Sequence, residues 1–187
     1  MGHGIAQVAA AAGFRVWLND VDSESLARGV SSIEANLEKG IQRAKLTEDD
    51  RDRTLQLIHG TTNLKECAVA DLIIEAAPEK LELKKDILRQ LESASDHPFI
   101  FASNTSSLSI TEIASSSKRP EAVVRLEALE AFLPAAEQGA CTAKTIAHVR
   151  HLVYLIFKER MAGLAATPLN PGGGQKFRLA AALPQNS

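Results

Sequence analysis

The chain has 187 residues, 45% hydrophobic and 24% charged, a make-up that fits a soluble globular protein of one domain with room for an appendage. A formal net charge of −2 excludes an overall field that would draw in nucleic acid or an anionic membrane surface. Two cysteines, Cys67 and Cys141, stand far apart with no CxxC pair, which argues against a disulfide framework or a zinc site and fits a reducing compartment.

Gly4 to Ala12 is small and apolar, good helix material, and Gly13 falls where a left-handed helix stop belongs. Arg15-Val16-Trp17-Leu18-Asn19-Asp20 reads as a short strand ending in an acid. Ser23 is a candidate N-cap for a helix on which Leu26, Val30, Ile33 and Leu37 recur at helical spacing. Thr47 starts a further helical piece, with Asp50 in the capping-box position. Ile58 to Thr62 is a candidate strand, and the apolar run Asp71 to Ala77 predicts a strand covered on both faces. Leu81, Leu83, Ile87, Leu88 and Leu91 define an amphipathic helix. Phe99-Ile100-Phe101-Ala102 is another buried strand, Ile110, Ile113 and Ala114 lie on a short helix, and Ala122-Val123-Val124 begins one more strand. The texture loosens after Val124, and no apolar run there reaches membrane length; the nearest, Leu152 to Phe157, lies between His151 and Lys158. Residues 1–124 carry 14 Lys/Arg and 19 Asp/Glu, and residues 125–187 carry 7 and 4, so the charge changes sign at the same place.

Strand and helix in alternation predict an α/β fold, a parallel sheet with helices on both faces, whose ligands lie beyond the carboxyl ends of the strands. Asp20, Ala76-Ala77-Pro78-Glu79 and Ser103-Asn104-Thr105-Ser106-Ser107 all fall at such ends. An acid in the position of Asp20 accepts both hydroxyls of an adenosine ribose and repels a 2′-phosphate, which favours NAD over NADP; alternatively it is a solvated turn acid. Gly2 can be the last glycine of a GxGxxG fingerprint, with the first strand and the other glycines placed before residue 1. The hydroxyls of Ser103 to Ser107 can bond a substrate oxygen or a cofactor amide, or cap the helix beginning near Ser109.

Three segments carry a family resemblance: Met1-Gly2-His3-Gly4-Ile5-Ala6-Gln7-Val8-Ala9-Ala10, Ile74-Glu75-Ala76-Ala77-Pro78-Glu79-Lys80-Leu81-Glu82-Leu83-Lys84, and above all Phe101-Ala102-Ser103-Asn104-Thr105-Ser106-Ser107-Leu108-Ser109-Ile110. With Val16 to Asp20 they resemble the NAD-binding domain of 3-hydroxyacyl-CoA dehydrogenases, bacterial 3-hydroxybutyryl-CoA dehydrogenases in particular, over residues 1–124. The resemblance implies a Rossmann-like doubly wound sheet, here lacking its first strand, in a chain truncated at both ends. It implies NAD as cofactor and an acyl-CoA as substrate, with oxidation of an (S)-3-hydroxyacyl-CoA to the 3-ketoacyl-CoA as in fatty-acid β-oxidation. Gly2 and Asp20 would bind NAD, Glu79 and Lys84 would lie along the NAD site, and Ser106 would serve catalysis and cofactor by bonding the 3-oxygen near the nicotinamide. Asn36 would fall near the region that meets CoA.

The family's His-Phe-Phe-Asn-Pro run and its following glutamate do not occur after Val124, where the chain reads Arg125-Leu126-Glu127-Ala128-Leu129-Glu130; His148 and His151 lie in another context. Residues 125–187 are therefore expected to be a divergent, irregular or helical tail packing poorly on an incomplete domain of residues 1–124, as if from another reading frame, a skipped exon or a fusion. The chain alone is expected to be inactive. The alternatives are a non-catalytic NAD- or partner-binding remnant and a truncated product without function; the related gulonate dehydrogenases share the architecture. No nucleic acid or membrane is expected as partner, the intact family's homodimer is not expected through this piece, and the expected compartment is the cytoplasm, or mitochondria or peroxisomes in a eukaryote.

Overall fold

The computed structural model describes residues 2–128 and 178–182. Helix α1 spans Gly2–Ala11 and buries Ile5, Ala6, Ala9 and Ala10. It stops at Gly13, whose φ of 91° is left-handed and cheap only for glycine. Strand β1 follows at Arg15–Asn19. Helix α2, Ser23–Gln42, is capped by Asp22 rather than Ser23: the carboxylate accepts the N–H groups of Glu24 at 3.2 Å and Ser25 at 2.9 Å. A two-oxygen anion at the positive end of the helix does better than one hydroxyl. Helix α3, Glu48–Gln56, opens on the expected box between Thr47 and Asp50. Then come β2, Ile58–Thr61, a 3₁₀ turn at Leu64–Val69, and β3, Leu72–Glu75, buried at every position. Helix α4, Leu81–Ala94, buries Ile87, Leu88 and Leu91. Strand β4, Ile100–Ser103, is again wholly buried, followed by α5, Ile110–Ala114, and β5, Val123–Arg125.

The last described element is β6, Arg178–Ala182. The sheet runs β2-β1-β6-β3-β4-β5, with every pairing parallel. The α/β parallel sheet is as the sequence predicts, and the place expected to be vacant is the one between the strands that lead to Asp20 and hold Glu75. It is not vacant. Residues from the tail fill it, with Leu179 opposite Val16 on one side and Leu72 on the other. The expectation that the tail packs poorly therefore fails for Arg178–Ala182, where Leu179, Ala180 and Ala181 are all buried. A boundary at residue 124 does not separate these residues from the sheet. The rest of the tail, including His148, His151, Cys141 and the Pro171-Gly172-Gly173-Gly174 run, lies outside the described residues.

The physical reason is the cost of two open parallel edges at the middle of a sheet, where unpaired backbone groups would be shut away from water. Strand β6 satisfies both edges, and its small side chains suit both faces. Leu179 and Ala181 join the core under α1 and α2 with Ile5, Ala9, Ile33 and Leu37. Ala180 joins the opposite core with Ile87, Leu91 and Phe101. Entry is fixed by Asp71, whose N–H donates to the Arg178 carbonyl while its carboxylate accepts the Arg178 N–H, both at 2.9 Å. No helix among the described residues is long and apolar enough to cross a membrane.

Candidate functional site

Parallel strands put all their carboxyl ends on one rim, and α1, which leads directly into the start of β1, therefore has its N-terminus on that rim too. Gly2 is buried there. Asp20 follows β1 and is 2% exposed. Its N–H donates to the Thr61 carbonyl at 3.3 Å, and its carboxylate accepts the Asp22 N–H at a long 3.4 Å. Burial pushes its carboxyl above the ordinary carboxylate value, and backbone N–H bonds from Asp22 and Val21 only partly oppose this. Such a carboxylate has lone pairs to offer a ligand's hydroxyls and gains by accepting them.

At the end of β3, Glu75 is 0% exposed, and so is Lys84 on α4. The ammonium donates to Glu75 Oε1 at 2.8 Å, to Glu75 Oε2 at 3.0 Å and to the Ala77 carbonyl at 3.1 Å. Ser103, at the end of β4, donates its hydroxyl to Glu75 Oε2 at 2.6 Å. Lys84, expected along the cofactor site, is thus sealed inside and faces the surface only through Glu79, 3.4 Å away.

Glu79 gathers the loop after β4. Its Oε1 accepts the N–H groups of Ser106 and Ser107, each at 3.1 Å, the Ser107 hydroxyl at 3.0 Å and the Thr105 hydroxyl. Burial alone would raise its pKa; the bonds from Thr105 and Ser107 and the charge of Lys84 outweigh burial and hold it at about 2. Among the described residues the Ser106 hydroxyl makes no hydrogen bond, and Ser106 is exposed on the rim. The capping alternative goes elsewhere: Ser109 itself caps α5, accepting the Glu112 N–H at 3.3 Å.

Asn36 lies on α2 and bonds Gln7 of α1 at 3.3 Å, away from the serine loop in the network. His59 pairs with Glu66 at 3.3 Å on the edge strand β2, and His97 precedes β4, at the opposite end of the sheet from Ser106. His3 sits in the first turn of α1, its pKa lowered chiefly by burial. No group of three or more metal-ligating side chains occurs among the described residues. A cavity of about 350 Å³ opens at the far end of β4, lined by His97, Phe99 and Lys118 among others, and no predicted site residue touches it. The strand ends carry the converging polar groups, which makes that rim the candidate site.

Sequence reasoning missed Glu75, Ser103 and Thr105 as members of one network. The signal was present: a lone acid within Leu72-Ile73-Ile74-Glu75-Ala76-Ala77 has to find a buried cation, and Lys84 is the nearest on the helix that follows.

Comparison with known proteins fits this geometry. The model of the family described as "3-hydroxyacyl-CoA dehydrogenase, NAD binding domain" matches residues 1–127. A 3-hydroxyadipyl-CoA dehydrogenase of Escherichia coli is 43% identical over 135 residues, 72% of this chain and 28% of that protein. A 3-hydroxybutyryl-CoA dehydrogenase of Bradyrhizobium diazoefficiens is 42% identical over 121 residues, 65% of this chain and 41% of that protein. The crystal structure of a 3-hydroxybutyryl-CoA dehydrogenase from Escherichia coli superposes with a TM-score of 0.63 at 44% identity, covering 66% of this chain and 26% of that one. The chain spans less than half the length of these curated relatives.

Proposed function

The chain belongs to the 3-hydroxyacyl-CoA dehydrogenase family through its NAD-binding domain, and from that premise we propose that it provides the cofactor half of the NAD-linked oxidation of an (S)-3-hydroxyacyl-CoA to the 3-ketoacyl-CoA. The observation that carries the reading is Asp20, a nearly buried carboxylate on the rim that also holds the start of α1. The residues fit a dinucleotide: Asp20 accepts the adenosine ribose hydroxyls, and buried Gly2 lets the phosphates approach the helix start. NAD supplies the hydride acceptor when bound. Ser106 donates its free hydroxyl to the substrate's 3-oxygen and orients it. Glu79 borders this end of the site, with Lys84 behind it. The proton of the 3-hydroxyl needs an acceptor, and among the described residues no histidine–glutamate pair stands beside Ser106.

Calorimetry with NAD and NADP on the whole chain tests the reading. NAD is expected to bind more tightly, and Asp20→Asn to narrow the difference; equal or tighter binding of NADP by the unsubstituted chain overturns the role of Asp20. With (S)-3-hydroxybutyryl-CoA added, NADH formation is expected about 10²–10⁴-fold below that of a relative that carries the general base, the usual contribution of acid–base catalysis.

A further inference from the structure

Of the three hydroxyls at Thr105, Ser106 and Ser107 in the loop after β4, two have a hydrogen-bond partner among the described residues and one has none. The Asn104 N–H donates to the Glu75 carbonyl at 2.7 Å and so ties the loop's start to β3. The Thr105 hydroxyl donates to Glu79 and accepts the Leu108 N–H at 3.0 Å. The Ser106 and Ser107 amides and the Ser107 hydroxyl all converge on Glu79. From the other side, Arg125 donates to the carbonyls of Thr105 at 2.9 Å and Leu108 at 3.2 Å. An anion that takes the donors and a cation that takes the acceptors fix the backbone without using the one hydroxyl left over. That hydroxyl belongs to Ser106.

We propose that Glu79 is a positioning residue, whose carboxylate folds the 105–107 loop so that, of that loop's three hydroxyls, the one of Ser106 is left free for a ligand oxygen. The proposal rests on the reading of Ser106 given above. It differs from a direct cofactor contact, because Glu79 Oε1 is already saturated by four donors and Oε2 faces the Lys84 ammonium. Charge-assisted bonds of this kind are stronger than neutral ones, and several sharing one oxygen make that oxygen the local organiser. Lys84 in turn holds Glu79 in place from within, pinned by Glu75 and the Ala77 carbonyl. The line Ser103, Glu75, Lys84, Glu79 thus transmits the rigidity of β3 and β4 to the loop that carries Ser106.

Amide hydrogen exchange followed by NMR on the full chain tests it. Glu79→Ala is expected to speed exchange at Ser106 and Ser107 by about tenfold or more, while amides of β1, β3 and β4 keep their protection. Glu79→Gln retains an acceptor oxygen without the charge and is expected to fall between the two. Unchanged exchange at Ser106 and Ser107 in Glu79→Ala overturns the positioning role, as does equal acceleration everywhere or a Gln variant no better than Ala. Loop amides that respond as expected in a chain that shows no heat with NAD uphold the positioning role and overturn the proposed function alone.

Discussion

Replacing Lys84 with methionine isolates the buried ion pair. Methionine keeps most of the stem's volume, so packing changes little, but the only cation in reach of Glu75 among the described residues is removed. Both partners are fully buried, and the ammonium makes contacts of 2.8 Å and 3.0 Å to one carboxylate. Glu75 would keep the Ser103 hydroxyl and the Ala77 N–H, which cannot neutralise its charge. Breaking a fully buried pair from one side costs about 3–5 kcal/mol, a large part of a domain's total of about 5–15 kcal/mol. The double variant Glu75→Leu with Lys84→Met removes both charges. Swapping a buried pair for apolar residues is neutral or stabilising by about 1–4 kcal/mol, but Ser103 and Ala77 then lose their acceptor, at about 1–3 kcal/mol, so the double variant should lie close to the parent. Trp17, the sole tryptophan, sits on β1 and reports the sheet during urea unfolding. At a slope of about 2 kcal/mol per molar urea, the single variant's midpoint should fall by about 2 M. A fall worth less than about 1 kcal/mol, or a double variant no more stable than the single one, refutes the reasoning.

Ala181→Glu should abolish cooperative unfolding reported by Trp17, because it places an unpaired carboxylate at a 0% exposed position of the central strand; Val21→Glu, at a site 61% exposed, is the control that should change little. A parent-like midpoint for Ala181→Glu would show that β6 is not held between β1 and β3. Glu79 is depressed from its ordinary 4.5 to about 2, so its contribution to stability is complete above 4.5 and is lost as pH falls toward 2. The difference in melting temperature between the parent and Glu79→Gln should accordingly be largest near neutrality and vanish near pH 2, and a constant difference would contradict the hydrogen-bonded carboxylate.

Periodicity and punctuation revealed most of the domain, because its elements are locally consistent. The apolar positions of α4 recur at helical spacing, β3 and β4 are unbroken apolar runs, and Gly13 and the Thr47–Asp50 box mark ends through backbone chemistry that any reader of the sequence can apply. Strand β6 was illegible for the opposite reason. Arg178-Leu179-Ala180-Ala181-Ala182 is rich in alanine, a strong helix former and a weak strand former, and nothing local argues for extension. Only the two edges that it joins, brought together by residues far away in the chain, make it a strand. The site divided along the same line. Asp20 and the serine loop were visible as polar residues at strand ends, whereas the sealed position of Lys84 depends on the packing of α4 against β3 and cannot be read from spacing.

On the proposed function, the position of β6 bears on where cofactor affinity would come from. In a dinucleotide fingerprint one glycine-rich turn joins the central strand to the first helix, so strand, turn and helix start are fixed together around the pyrophosphate. Here the central strand follows the helix in chain order, and the two meet through side-chain packing, alanines of α1 on Leu179 and Ala181 of β6. Packing through the sheet reproduces the layer, and among the described residues no turn joins β6 to α1. Among the described residues the phosphates would meet the start of α1, and a helix dipole contributes only about 0.3–1 kcal/mol per charge at an exposed end. If Asp20 has the role proposed for it, the ribose end would carry the larger share, since hydrogen bonds to a charged, nearly buried group are worth about 1.5–3 kcal/mol. Cofactor binding by this chain should therefore depend more steeply on Asp20 than on salt concentration, because the contact that salt screens is the weaker of the two.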